Sequence, residues 1–330
     1  MMKKIKSTSI ILCLSLAISM LAGPTLALAQ KQTVIKAGHV VSTMDNYHLG
    51  LTRLAELIAE RTDGRYKIEV YPNAQIGSER DLVEGIQLGS VGMCVVATAP
   101  VANFAPELGV VELPFLIRDF EHADRVFMGP IGQELCDKVS ASAGVKCLGL
   151  WENGFRSMVN SKRPIKTVED IKGLKIRTME NSAHQALWKA LGADPVPMAW
   201  GDAYTAVQQG ALDGLENAIT LLYSLKTAEI TKHLAVTEHL YSPAVVLMQE
   251  GLWKKMSSED QKIFQDTFAE VSVYERVVSR DAAAKAESGL AEQGLEVTHP
   301  DKEGFRQATE QVKKDLSKKF TEVVARIEAE

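Results

Sequence analysis

The chain has 330 residues, 46% of them hydrophobic and 24% charged, with a formal net charge of −5. That composition belongs to an ordinary globular protein, and the acidic balance excludes a general basic field for nucleic acid or anionic lipid surfaces. A site for an anion must therefore be a local concentration of donors, a few arginines in a cleft.

The N-terminus reads as an export signal. Lys3, Lys4 and Lys6 precede an apolar run from Ile10 to Ala22, then Gly23-Pro24 and the small-residue pattern Ala27-Leu28-Ala29. This order predicts a secretory signal peptide over 1–29, cut after Ala29. The run is roughly 13 residues, short of the about 20 that a bilayer span needs. Its removal takes three positive charges with it and leaves Cys94, Cys136 and Cys147. Three cysteines allow at most one disulfide, with Cys136 and Cys147 nearest in sequence, and their spacing fits no zinc site. About 300 remaining residues exceed what one hydrophobic core usually serves, so two lobes are expected.

In chain order, an alternating strand over 33–39 is followed by a helical pattern over 48–61, a strand over 66–71 and an amphipathic helix over 79–88. Ser78 stands where a helix N-cap belongs. Strand 91–96, a long helix 121–139 and strand 145–151 continue the alternation, which marks an α/β lobe. A second α/β series begins near Gly154, with strands at 157–160 and 174–177, helices at 182–191 and 202–208, and a short strand at 213–216. From Ser257 one long helix runs to about 291, either bridging the two lobes or flanking them. A last amphipathic helix covers 305–327.

No enzyme constellation stands out. There is no G-x-S-x-G elbow, no phosphate-cradling glycine loop and no H-E-x-x-H. The seven histidines are scattered without ligand spacing. No catalytic residue, metal or cofactor is expected. The dense region runs from Asn153 through Arg177 to Asn217. Arg156 and Arg177 each sit at the edge of a predicted strand, where ligands of open α/β sheets bind. A guanidinium fork suits a carboxylate, although an arginine at a strand end also reads as a surface ion pair. Asn217 could serve hydroxyls or a carboxylate oxygen, or simply turn the chain. Trp200 could wall a pocket or pack in the core.

Five segments carry a resemblance. They are Tyr71-Pro72-Asn73-Ala74-Gln75-Ile76-Gly77-Ser78-Glu79-Arg80, Leu113-Pro114-Phe115-Leu116, the run from Glu169 to Arg177, the run from Gly192 to Met198, and Gly210-Ala211-Leu212-Asp213-Gly214-Leu215-Glu216-Asn217. In this order, across nearly the whole chain, they resemble the DctP-type substrate-binding proteins of tripartite ATP-independent periplasmic (TRAP) transporters. The resemblance implies a two-lobed α/β periplasmic binding protein fold, a long helix spanning both lobes, a ligand cleft between them that closes on the ligand, and no chemistry. The lobes it suggests are 30–153 with 243–282, and 154–242 with 283–330.

By the same resemblance, Arg177 pairs with the ligand carboxylate, and Arg156, Asn217, Trp200 and Glu79 complete the site. Asp202, Leu215 and Ala218 stand where the family commonly has Glu, Gln and Pro, which puts the ligand in doubt and leaves the class intact. Asn181, just after the arginine strand, adds a polar group suited to a polyhydroxy acid. The expectation is a monomeric periplasmic receptor for a small organic acid, handing it to membrane permease subunits and binding no nucleic acid. A sugar acid such as a uronate or aldonate is the first choice and a C4-dicarboxylate the second. A secreted α/β enzyme is the rival class.

Overall fold

A computed structural model describes residues 32–330. The predicted signal peptide lies outside the described residues. Among those described, no helix is long and apolar enough to cross a membrane.

Nine strands form one mixed sheet: β1 (Thr33–Gly38), β2 (Tyr66–Tyr71), β3 (Met93–Ala97), β4 (Lys146–Asn160), β5 (Lys175–Thr178), β6 (Asp194–Pro197), β7 (Gly214–Ala218), β8 (His233–Met248) and β9 (Glu296–Thr298). Their order is β2-β1-β3-β8-β4-β7-β5-β6, with β9 on β8. Two parallel groups, β2-β1-β3 and β6-β5-β7, sit on either side of the long antiparallel pair β4 and β8. β3 pairs with the C-terminal half of β8, and β7 with the C-terminal half of β4. Each long strand thus begins in one lobe and ends in the other.

The pair is not regular. Its register shifts between Glu152 and Gly154 and again between Arg156 and Met158. Gly154 takes a φ of 118°, open only to glycine at low cost, and Glu238 a φ of 43°. Bulges of this kind bend the strands that carry them.

The helix Ser258–Glu292 packs against the helix Asn46–Arg61 of one lobe, against β4, and against Ile219–Ser224 of the other. It bridges the lobes, as the resemblance implies. Its start is set by Ser257, whose side chain accepts from the Asp260 N–H, and Ser78 caps Glu79–Leu88 in the same way within a capping box.

Several elements differ from the sequence reading. The helix expected over 121–139 is two, Phe120–Phe127 and Pro130–Ala143. Pro130 lacks the N–H that would continue the first, and a Cβ at Gly129 would lie 2.3 Å from the Arg125 carbonyl oxygen. The pieces 145–151 and 157–160 belong to one strand, β4. The tail is also two helices, Lys302–Ser317 and Thr321–Ala329. β8 was not anticipated: almost wholly buried on both faces, it shows no alternation. Cys136 and Cys147 form a disulfide with Cα atoms 5.4 Å apart.

Candidate ligand site

β5 ends at Thr178 with Arg177 one residue inside it, β7 ends on Asn217 and Ala218, and the helix Glu79–Leu88 opens on Glu79. These ends converge with Tyr47 and Asn153 on a small buried cavity, walled also by Trp200, Val40, Val41, Met179 and Leu221. Larger grooves exist, one of about 230 Å³ along Phe120, Phe155 and the long helix. Its arginine, Arg280, is already paired with Asp124 and Glu152. The small cavity gathers the charged groups that lack such partners.

Arg177 is 2% exposed. Its Nε donates to the Met198 carbonyl at 2.8 Å, its Nη1 has no partner, and its guanidinium lies 5.5 Å from the Trp200 ring centroid. Burial pushes its pKa down to about 10, against the pull of Glu216 and with the repulsion of Arg156. Glu79 is the opposite charge on the same wall. Its carboxylate accepts from the Ala97 N–H at 2.7 Å, and burial raises its pKa against that bond and against Arg177. A buried cation with an unpaired donor, facing a buried acid, is the chemistry of a site awaiting a polar anion.

Arg156 lies behind the wall instead of on it. Fully buried, it grips Glu216 through Nε at 2.6 Å and Nη2 at 2.7 Å, and donates through Nη1 to Asn217 Oδ1 at 2.7 Å. Burial opposes both charges, yet their attraction wins: Glu216 is held well below the usual carboxylate range and Arg156 above its ordinary value. The Ala218 N–H also donates to Asn217 Oδ1. With its oxygen so occupied, Asn217 presents its Nδ2 donor as the cavity-side group. His184 extends this buried cluster, its Nε2 at 2.7 Å from Glu112.

Asn181 does not line the cavity. Its Oδ1 caps the helix Ser182–Ala190, and its Nδ2 donates to the Ala99 carbonyl at 2.8 Å. Asn103 returns the bond, donating to the Glu180 carbonyl at 2.9 Å. Since Ala99 and Asn103 follow β3 while Glu180 and Asn181 follow β5, these two bonds tie the lobes together. Tyr47 and Asn153 were missed as site residues: Asn153 stood in the dense Asn-Gly-Phe-Arg segment, but Tyr47 gave no signal beyond an aromatic opening a helix.

A closed charged cavity between two lobes, joined by crossing strands and a bridging helix, defines a solute-binding protein. Residues 37–319 match the model of DctP, bacterial extracellular solute-binding protein family 7. The chain is 40% identical over 297 residues to a solute-binding protein of Verminephrobacter eiseniae, covering 89% of this chain and 88% of that one. It is similar to the crystal structure of a TRAP periplasmic solute-binding protein from Polaromonas sp. JS666 bound to D-erythronate. There the identity is 39%, the TM-score 0.88, and the match covers 90% of this chain and 99% of the other. The sugar acid binding protein DctPAm of Advenella mimigardefordensis, in complex with galactonate, matches at 29% identity and a TM-score of 0.87, over 91% and 97% of the two chains. The chain belongs to the DctP family of periplasmic receptors that serve TRAP transporters. It is a binding protein and not an enzyme.

Proposed function

We propose that this receptor captures a short sugar acid, a hydroxylated monocarboxylate of the aldonate kind, and delivers it as a monomer to TRAP permease subunits. The observation that carries the reading is that Arg177 and Glu79 line the wall of one cavity. The guanidinium fork suits the carboxylate, with Asn217 as a further donor and Trp200 as an apolar wall. Glu79 suits hydroxyl donors. A second carboxylate in the same space would meet a buried acid, which disfavours dicarboxylates. Erythronate in the Polaromonas protein and galactonate in the Advenella protein each join one carboxylate to a hydroxylated chain.

Arg156 serves the site by orienting Asn217, and Asn181 by holding the lobes together. The lobes divide at 153/154 and 242/243. Gly154 pairs with Ser242, so both long strands change lobes at one level. Export through the segment 1–29, cleaved after Ala29, delivers the chain to the periplasm.

A thermal-shift screen of the mature chain tests this, since a ligand that binds only the folded state raises the melting temperature. Aldonates should raise it and succinate should not. A shift with succinate alone would replace the sugar-acid reading by a dicarboxylate one.

A further inference from the structure

Two more polar atoms on the cavity wall lack partners. Tyr47, in the first turn of the helix Asn46–Arg61, is 1% exposed and its hydroxyl is unbonded. Asn153, 2% exposed, turns Nδ2 toward Asn217 Oδ1 and Ser242 Oγ, each at 3.4 Å, and leaves its Oδ1 unbonded. The orientation of Asn153 follows from Arg156: because the guanidinium donates to Asn217 Oδ1, the group of Asn153 facing that oxygen must be a donor. Buried polar atoms nearly always have partners. Two without them on one cavity wall are placed to bind a ligand's polar group.

We infer that Tyr47 and Asn153 read the hydroxyl on the carbon next to the ligand's carboxylate, so that the receptor selects 2-hydroxy acids over their 2-deoxy counterparts. The inference rests on the sugar-acid reading above and narrows it. A phenol O–H donates and a carboxamide oxygen only accepts, so the group that satisfies both must accept and donate at once, as a hydroxyl does. A keto oxygen could take only the bond from Tyr47, and an ammonium only the bond to Asn153. Burial, reinforced by the charge of Glu79, pushes the Tyr47 phenol well above its ordinary value, so it stays protonated and able to donate. The placement next to the carboxylate follows from Asn153 lying beside Asn217: a carboxylate held by Arg177 and Asn217 brings its neighbouring carbon to Asn153.

Calorimetric titration of wild type and Tyr47→Phe with D-erythronate and with 3,4-dihydroxybutanoate, which lacks only the 2-hydroxyl, tests the assignment. Wild type should bind erythronate about 100-fold tighter than the deoxy acid, because the deoxy acid leaves buried polar groups unpaired. Tyr47→Phe should weaken erythronate by about 10- to 100-fold while holding the deoxy acid within about threefold. Asn153→Ala should lose the same selectivity, which covers the case in which the first variant folds poorly. Wild type binding both acids equally, or Tyr47→Phe weakening both alike, would overturn the inference and leave the receptor reading standing. Wild type binding neither acid would overturn both.

Discussion

Replacing Arg177 with methionine should have two opposite effects. The side chain keeps similar bulk and loses its charge. Burial moves the guanidinium from 12.5 to about 10, which corresponds to roughly 3 kcal/mol for enclosing this cation without an anion. In wild type that penalty resists shutting an empty cavity, and a ligand carboxylate removes it. Each charge-assisted hydrogen bond then adds about 1.5–3 kcal/mol. Arg177→Met should therefore weaken binding by roughly 3–5 kcal/mol, or about 100- to several-thousandfold. Without ligand, the same variant should close more readily, raising the closed share by up to about 100-fold. Calorimetry reads the first effect, and energy transfer between one fluorophore on each lobe reads the second. Affinity within tenfold of wild type, or an unchanged closed share, would refute the reasoning.

The ties between the lobes should govern release. Asn103→Ala removes one neutral bond between the lobes, of about 1 kcal/mol, together with a local bond from Nδ2 to the Pro100 carbonyl, so stopped-flow dissociation should quicken about fivefold while association is unchanged. A slowed association instead would mean that Asn103 shapes the open form. Opening the Cys136–Cys147 disulfide, which closes a loop of 11 residues, should cost about 2–3 kcal/mol in urea unfolding. Ligand affinity should not change, and equal stability of the double serine variant would contradict this. Burial pushes Glu275 up to about 8 from 4.5, so between those values the folded protein holds a proton that the unfolded chain has released, and stability falls as pH rises. His39, held down near 3 from 6.5, has the opposite sign but only below 6.5. From pH 6.5 to 8, therefore, Glu275 should contribute a drop of roughly 2 kcal/mol in unfolding free energy; His184, raised above 6.5 despite burial by its bonds to Glu112 and Glu216, adds to it, and Glu275→Gln, neutral throughout, should remove the Glu275 share of the slope. A rise over that interval would show that Glu275 ionises freely in the folded protein.

The local rules of the chain were legible where one face of an element meets water. Helices Glu79–Leu88 and Ser258–Glu292 carry serine caps and amphipathic faces, and both lie within a residue of their sequence-based bounds. β8 was illegible because burial on both faces erases the alternation, and the bulge around Glu238 interrupts what pattern remained. The break at Gly129-Pro130 was written in the sequence and passed over.

At the site, Arg177, Asn217, Trp200 and Glu79 could be found from motif and residue chemistry because each stands at the end of a strand or the start of a helix. Arg156, inside β4, and Asn181, at a helix start, carry the same kind of chemistry, yet their polar groups serve Glu216, Asn217, Ala99 and a helix cap. Partner choice of that kind depends on tertiary contacts that no local pattern encodes. Tyr47 reaches the cavity from a helix far away in sequence, and only the folded chain shows its hydroxyl without a partner.

A crystal structure of the mature chain with D-erythronate tests the central claim most directly. The carboxylate is expected on the Arg177 guanidinium at about 2.7–2.9 Å, with the hydroxylated chain running toward Glu79. A carboxylate turned away from Arg177, or a ligand seated in another groove, would contradict it.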